Sequence, residues 1–404
     1  MPDKNLRHLI ALVLIWSGLV LMEAVSNHVI PLSLQSFTSN AFLIGLILAV
    51  NPLFGVLVQP VIGIMGDRIW TPFGRRTFFI KIAAPVLAVC LVFFPEATDF
   101  LLLIVLVVVF HFFLDVVYGA DHPLLADLIP NNKRSVAMGW MLCVGQVSQF
   151  LFLRYLMGYL TDAGGIEITY RVSAVLALTL MFGASFLIKE KPPVVSDAPK
   201  MTFRRYFQDF LNEPMMVRFG LLSFFRSAGI NGMLGYIVLF SINNYGLTDG
   251  EYARTWSLTS LLYFTLAVPV GIVVEKLMPK NYALGIGYGL ILGSAALAFY
   301  ADDPAFLTAI AILFGMGSVI ESVTIKPFYC EFMPPEKLGQ LSGALNICYG
   351  TGRLFALIVC GWVVRLFDNN YQAAWPVVIF CMIVASALSI FIPDKRFHLE
   401  RLRD

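Results

Sequence analysis

Charged side chains are scarce in this chain of 404 residues: Asp, Glu, Lys and Arg together make up 13% of it, about half the usual fraction. Hydrophobic residues make up 58%. A soluble fold of this composition would have too few charged side chains on its exterior to keep so much apolar surface in solution. The six cysteines form no C-x-x-C pair, which argues against a disulfide framework and a zinc site. The net charge of +2 is too balanced to indicate a nucleic-acid partner. The composition therefore favours a protein whose solvent is the lipid bilayer.

Twelve apolar segments account for most of the chain, and a membrane span needs roughly 20 such residues. Lipid offers the backbone no hydrogen bonds, so the segments must be helices, and runs of this length exclude barrel strands. The loops are too short for a soluble catalytic or ATP-binding domain, and no Walker-type glycine loop occurs. We therefore predict an all-α integral membrane protein with no cofactor, no metal site and no enzymatic activity. The predicted spans are 9–32, 42–65, 77–96, 100–128, 136–160, 169–188, 215–242, 252–275, 282–300, 304–333, 342–366 and 372–392.

Lys and Arg are distributed unequally between the two sides of the predicted membrane. One set of loops holds only Arg171 and Arg254, with Arg365 near a helix end. The positive-inside rule places the other side in the cytoplasm, so we expect a multi-pass protein of the cell (inner or plasma) membrane with both termini cytoplasmic. The tails and the loops after even-numbered spans hold Lys4, Arg7, Arg68, Arg75, Arg76, Lys133, Arg134, Lys189, Lys191, Lys200, Arg204, Arg205, Lys276, Lys280, Lys337, Lys395, Arg396, Arg401 and Arg403.

The two halves of the chain resemble each other around a hydrophilic centre. We predict a six-helix bundle at 1–190, a cytoplasmic linker with a short amphipathic helix at 191–213, a second six-helix bundle at 214–393 and a cytoplasmic tail at 394–404. Such duplication is typical of secondary transporters, whose site lies between the halves. At an offset of 204, the matches are Pro123 with Pro327, Asp127 with Glu331, Pro130 with Pro334, Lys133 with Lys337, Gly139 with Gly343 and Asn27 with Asn231; at 208, Gly63, Asp67 and Arg68 match Gly271, Glu275 and Lys276.

The loop between the second and third spans carries a motif. It reads G-I-M-G-D-R-I-W-T-P-F-G-R-R-T-F-F-I from Gly63 to Ile80 and resembles the signature loop of the major facilitator superfamily. Five residues separate the D-R pair from the glycine, a spacing similar to that of the sucrose–proton symporters and the related glycoside–pentoside–hexuronide cation symporters. L-D-V at 114–116 and L-A-D-L at 125–128 also resemble the sucrose carriers. The resemblance implies two pseudo-symmetric bundles, with spans 1, 4, 7 and 10 lining a central cavity.

Acidic and basic residues at the predicted cytoplasmic ends of the spans suggest a gate. Asp67 can face a helix N-terminus and a neighbouring arginine, and Asp127 is a candidate partner for Arg75 or Arg76. The alternative is that the two arginines only determine topology. In the second half, Glu275 with Lys276, and Glu331, would repeat the arrangement. The predicted gate residues are Gly63, Asp67, Arg68, Gly74, Arg75, Arg76, Asp127, Glu275, Lys276 and Glu331.

Ionisable groups inside membrane spans are costly and indicate function. Asp115 lies mid-span in an apolar run, and we predict that it carries the coupled proton, with Glu23 as the second candidate. The alternative is a static ion pair of either acid with Arg154 or Arg226. His111 is four residues from Asp115, hence on the same helix face, and it could relay protons. The predicted proton-coupling residues are Asp115, Glu23, His111, Asp121 and His122.

Polar residues elsewhere in the spans are candidate solute contacts. The favoured function is proton-coupled symport of a sugar or glycoside by a monomer in the lipid bilayer, through alternating access. A carrier or exchanger of small organic anions would instead use Arg154, Arg226, Lys326 or Arg353. A third possibility is a non-transporting sensor or assembly factor built on the carrier fold. The predicted solute residues are Asn27, Gln146, Gln149, Arg154, Arg226, Asn231, Glu321, Lys326, Asn346 and Arg353.

Overall fold

The computed structural model describes residues 3–130, 133–190, 192, 210–333 and 338–393, and within them every regular element is helical. The predicted cytoplasmic tail lies outside these residues. The same holds for most of the predicted linker and its amphipathic segment, of which residues 192 and 210–213 are described.

The predicted all-α fold is confirmed, and the described residues contain twelve apolar helices. Eleven of the helices are long and apolar enough to cross a membrane, while α3 is shorter. That helix ends at Phe93 rather than at residue 96 because Pro95 follows, and proline cannot continue a helix. The helices are α1 (Leu6–Phe37), α2 (Ala41–Arg68), α3 (Thr77–Phe93), α4 (Phe100–Leu128), α5 (Val136–Gly164), α6 (Ile166–Gly183), α7 (Pro214–Asn243), α8 (Asp249–Leu277), α9 (Lys280–Tyr300), α10 (Phe306–Cys330), α11 (Leu341–Leu366) and α12 (Tyr371–Ile390).

Side-chain caps fix the starts of α2 and α4. The Asn40 side chain accepts hydrogen bonds from the backbone N–H groups of Phe42 and Leu43. The Asp99 side chain accepts one from Leu102 at 2.9 Å. Each cap satisfies amides that have no partner within the helix. Connections of a few residues can therefore turn the chain sharply between consecutive helices.

The chain divides into two compact units. The first comprises Met1–Asp197 and Thr248–Ser257, and the second comprises Ala198–Leu247 and Leu258–Asp404. The segment Thr248–Ser257, which contains the start of α8, groups with the first unit. Two contacts explain this: the Tyr252 hydroxyl lies 2.8 Å from Nδ1 of His28, and Arg254 pairs with Asp162 at 2.7 Å.

Two local features of the first unit position its polar residues. Val25–Val29 forms a π-helical turn within α1, a rare conformation often found at functional sites. Gly119 lets α4 approach α2 closely, because a Cβ atom there would lie 2.9 Å from the carbonyl oxygen of Gln59. The approach brings α2 within hydrogen-bonding reach of Asp115.

Candidate functional site

Arg76 is the centre of an ion-pair cluster at the end of α2 and α4. Its guanidinium bonds Asp67 through Nη2 at 2.5 Å and Asp127 through Nε at 2.6 Å. Arg75 binds the other oxygen of Asp127 at 2.5 Å. The Arg76 side chain is 5% exposed, so its charge depends on these carboxylates rather than on water. Arg75 and Arg76 of the signature loop are thus both tied to the end of α4.

Glu190, just beyond α6, binds the same loop. Its carboxylate accepts hydrogen bonds from the backbone amides of Arg75, Arg76 and Thr77 at the start of α3. Amides at a helix N-terminus are free to bind an anion. Gly74 has φ +101°, and a Cβ atom there would lie 2.2 Å from Thr77 Oγ1. Glu190 is not among the predicted gate residues. An acid just after the predicted sixth span was nevertheless visible in the sequence.

The second unit repeats the cluster around Lys280. Its ammonium group pairs with Glu331 and lies 3.7 Å from Glu275, and its side chain is 5% exposed. Lys276, predicted for this place, is exposed. Position 280 is 204 residues beyond Arg76, the offset found elsewhere in the duplication. The offset of 204 therefore indicates Lys280. The charged pairs at offset 208 indicated Lys276 instead, four residues earlier in the chain.

A hydrogen-bonded network joins Glu23 on α1 to His111 on α4. Asn27 donates to one carboxylate oxygen of Glu23 at 3.4 Å, and Asn51 of α2 donates to the other at 3.5 Å. Asn51 also donates to Ser26 Oγ at 3.1 Å, which lies 2.8 Å from His111 Nε2. Neutral amides and a hydroxyl thus connect two of the predicted coupling residues.

The proton positions on His111 follow from its two contacts. Nδ1 lies 2.9 Å from the carbonyl oxygen of Val107, which can only accept, so Nδ1 carries a hydrogen. Nε2 faces Ser26, whose hydroxyl can donate or accept. The imidazole can therefore be neutral or doubly protonated without losing either hydrogen bond.

The other acids of α4 have different surroundings. Asp115 is 1% exposed and accepts a hydrogen bond from Gln59 Nε2 at 2.7 Å. Asp121 is equally buried, and neither of its oxygens has a hydrogen-bond partner among the described residues. His122 is exposed and bonds the carbonyl oxygen of Tyr118 at 2.7 Å. No motif or spacing indicated Gln59 as the partner of Asp115, because the two are 56 residues apart.

A second polar cluster lies within the second unit, on α7, α10 and α11. Arg226 forms an ion pair with Glu321, and its guanidinium lies 4.7 Å from the centre of the Tyr349 ring. The amide of Asn231 donates to the Tyr349 hydroxyl at 3.1 Å and to the Ser227 carbonyl at 3.0 Å. The cluster is charge-balanced, and it contains three of the predicted solute residues.

The remaining predicted residues differ in their contacts and exposure. Arg154 donates to the carbonyl oxygen of Arg254 at 3.2 Å, and Arg226 pairs with Glu321. Of the others, Lys326, Asn346 and Arg68 are exposed, Gln146, Gln149, Arg353 and Gly63 are partly buried, and the Gly63 carbonyl accepts from Arg76 at 3.5 Å.

The model of the major facilitator superfamily matches residues 13–357. The chain belongs to this superfamily. An uncharacterized symporter, YnaJ of Bacillus subtilis, is 25% identical over 408 aligned positions, covering 91% of this chain and 85% of the relative. Two solved structures share the fold. A bacterial homologue of the human lysosomal transporter Spinster, inward-facing and unoccupied, has a TM-score of 0.76 at 15% identity, with 97% of each chain covered. The nucleoside transporter NupG has a TM-score of 0.69 at 15% identity, covering 97% of this chain and 98% of that one.

Membership confirms the superfamily resemblance of the signature loop. The chain is a multi-pass membrane transporter of a small-molecule solute, and not an enzyme.

Proposed function

We propose that this transporter is a proton-coupled symporter of a sugar or glycoside that works by alternating access. The observation that carries the proposal is the network from Glu23 to His111. The Glu23 carboxylate in this network accepts hydrogen bonds from the amides of Asn27 and Asn51. Arg226 pairs with Glu321. A partly buried acid held by neutral donors can gain or lose a proton more readily than one neutralised by a fixed cation. The symporter name of the Bacillus subtilis relative supports the same interpretation.

Coupling follows from the energetic cost of moving charge in a low-dielectric interior. An ionised Asp115 or Glu23 disfavours the occluded state, in which water is excluded. Protonation together with solute binding removes that cost, so protonated and loaded carriers reorient together. The proton gradient then supplies the free energy for uphill solute movement.

A neutral, hydroxyl-rich solute suits the cluster around Arg226. The guanidinium charge is already balanced by Glu321, which favours a neutral solute over an organic anion. Asn231 and Tyr349 offer amide and hydroxyl groups, and an aromatic face can pack against a sugar ring. The spacing of the signature loop, similar to that of the sucrose carriers, supports the same class.

The clusters around Arg76 and Lys280 are proposed as gates at the cytoplasmic ends of the helices. Their ion pairs would hold this side closed and part when the carrier opens inward. With these basic residues on the cytoplasmic side, both termini lie in the cytoplasm and the protein resides in the cell membrane.

Uptake of labelled sucrose, maltose and a simple carboxylate into proteoliposomes, with and without an inward proton gradient, tests the proposal. We expect gradient-driven accumulation of a sugar, and its loss in Asp115→Asn and Glu23→Gln. Asp303→Asn, in the exposed loop before α10, is the matched acid-to-amide control and should accumulate like the wild type. Full accumulation by both span variants would reject the coupling residues, and accumulation of the carboxylate alone would reject the solute class.

A further inference from the structure

Asp121 is a buried acid for which the described contacts offer no partner. It lies on α4 with 1% of its surface exposed, and neither carboxylate oxygen has a hydrogen-bond partner. The great majority of buried polar groups in proteins do have one. The protonation state of this carboxyl group decides how costly its burial is.

The charged groups of α4 and of the helices packed against it have partners other than Asp121 or are exposed. α4 packs against α1, α2 and α3 and touches α5. Among the described residues, the acidic, basic and imidazole groups of these helices and of α4 itself have other partners or are exposed. They are Arg7, His8, Glu23 and His28 on α1, Asp67 and Arg68 on α2, Lys81 on α3, Arg154 and Asp162 on α5, and His111, Asp115, His122 and Asp127 on α4.

A carboxylate in this position would be a buried charge with no donor to stabilise it. The neutral acid removes the charge and leaves one hydroxyl, which is far less costly to bury. Asp115 differs, because Gln59 donates to it at 2.7 Å, and a donated hydrogen bond favours the ionised form. In this conformation, the two acids of the same helix are therefore suited to opposite protonation states.

We infer that Asp121 holds a proton in this conformation and is a further group, beside Asp115 and Glu23, that loads and releases protons during coupling. The second half of this inference rests on the proposed proton symport. The proton sits on one carboxylate oxygen and leaves to water when water reaches α4. Asp127, six residues further along α4, bonds Arg75 and Arg76, so parting of those ion pairs frees the end of the helix nearest Asp121.

Infrared difference spectroscopy of the full-length carrier in nanodiscs, titrated from acid to alkaline pH, tests the protonation state directly. We expect a carboxylic-acid C=O band that persists at pH values at which ordinary carboxyl groups are ionised. The band should vanish in Asp121→Asn and remain in Asp115→Asn and Glu23→Gln. A band that persists in Asp121→Asn, or its absence in the wild type, overturns the inference.

A stability measurement keeps the inference testable if Asp121→Asn folds poorly. Asp121→Leu removes no hydrogen bond, whereas Asp115→Leu removes the one from Gln59. We therefore expect the thermal midpoint of Asp121→Leu to equal or exceed that of the wild type, and that of Asp115→Leu to fall. A fall in Asp121→Leu as large as in Asp115→Leu contradicts a neutral, unpartnered Asp121.

Transport separates this inference from the proposed function. In proteoliposomes, Asp121→Asn should exchange labelled solute across the membrane but lose accumulation driven by a proton gradient. The wild type could move no solute under a proton gradient while the infrared band still depends on Asp121. That result would reject the proposed symport but support the proton bound to Asp121. If accumulation in the wild type requires a sodium gradient and not a proton gradient, the loading role of Asp121 is wrong.

Discussion

The ion pair between Arg226 and Glu321 places two opposite charges inside the second unit. The side chains are 13% and 9% exposed, so water contributes little to their stabilisation. A buried ion pair adds modest net stability, but removing one partner leaves an uncompensated buried charge. The Tyr349 ring stabilises the guanidinium further through a cation–π contact. The pair should therefore behave as one unit in mutational experiments.

Neutralising one partner should be far more harmful than neutralising both. We expect Arg226→Gln or Glu321→Gln to lower the free energy of unfolding by about 3–5 kcal/mol, and the double variant to recover most of that loss. Denaturant unfolding in detergent micelles measures the effect. The exposed pair of Arg171 and Glu96, 58% and 59% exposed, is the matched control, where Glu96→Gln should cost less than about 1 kcal/mol. Additive losses in the double variant would contradict the coupling.

At the scale of elements, the start of α3 is built from three parts of the chain. Glu190 from the end of the first bundle caps the helix amides, Gly74 makes the turn, and Asp127 of α4 receives the arginines. The arrangement joins α2, α3, α4 and the segment after α6 at one end of the bundle. A substitution at any of these positions should disturb the contacts made by the others.

Gly74 is the position where this junction tolerates a side chain least. Gly74→Ala should destabilise the protein by at least about 1–2 kcal/mol, since L-residues are strained at positive φ and the new methyl group would collide with Thr77 Oγ1. Gly63→Ala is the control, because nothing lies within 4 Å of a Cβ atom there. This helical substitution should raise stability by about 0.5–1 kcal/mol. Equal effects in thermal unfolding would refute the assigned turn.

Lys280 should act in the second unit as Arg76 does in the first. Lys280→Gln removes the ion pair with Glu331, which should loosen the end of α10 and increase labelling of the adjacent exposed Cys330. Impermeant maleimide applied to the carrier, with its other cysteines replaced by serine, measures the rate. Lys276→Gln is the control and should not change it. An increase in the control as large as in Lys280→Gln would favour general charge loss over loss of this contact.

At the scale of the whole molecule, one six-helix pattern occurs twice with different polar contents. The first unit holds the acids and histidine of the proposed coupling network, and the second holds the ion pair and tyrosine of the proposed solute cluster. Each unit retains an ion-pair cluster at corresponding helix ends. In the proposed function, this division would separate proton chemistry from solute recognition on a duplicated scaffold.

The predicted orientation of this scaffold is open to a direct test. With a single cysteine, Asp303→Cys in the loop before α10 should react with an impermeant thiol reagent in intact cells. Trp70→Cys in the signature loop, where the side chain is 46% exposed, should react only after the membrane is opened. The reverse pattern would invert the topology derived from Lys and Arg.

The sequence alone determined the fold class, the twelve helices and the superfamily, because lipid leaves an apolar chain few architectures and because the signature loop survives as a contiguous motif. It also placed Asp127 beside the arginines of that loop. Only the tertiary structure decided the partners: Gln59 for Asp115, Glu190 for the start of α3, Lys280 for Glu331, and, among the described residues, none for Asp121. These pairings join residues far apart in the chain through helix approach and side-chain direction, which composition and periodicity do not encode.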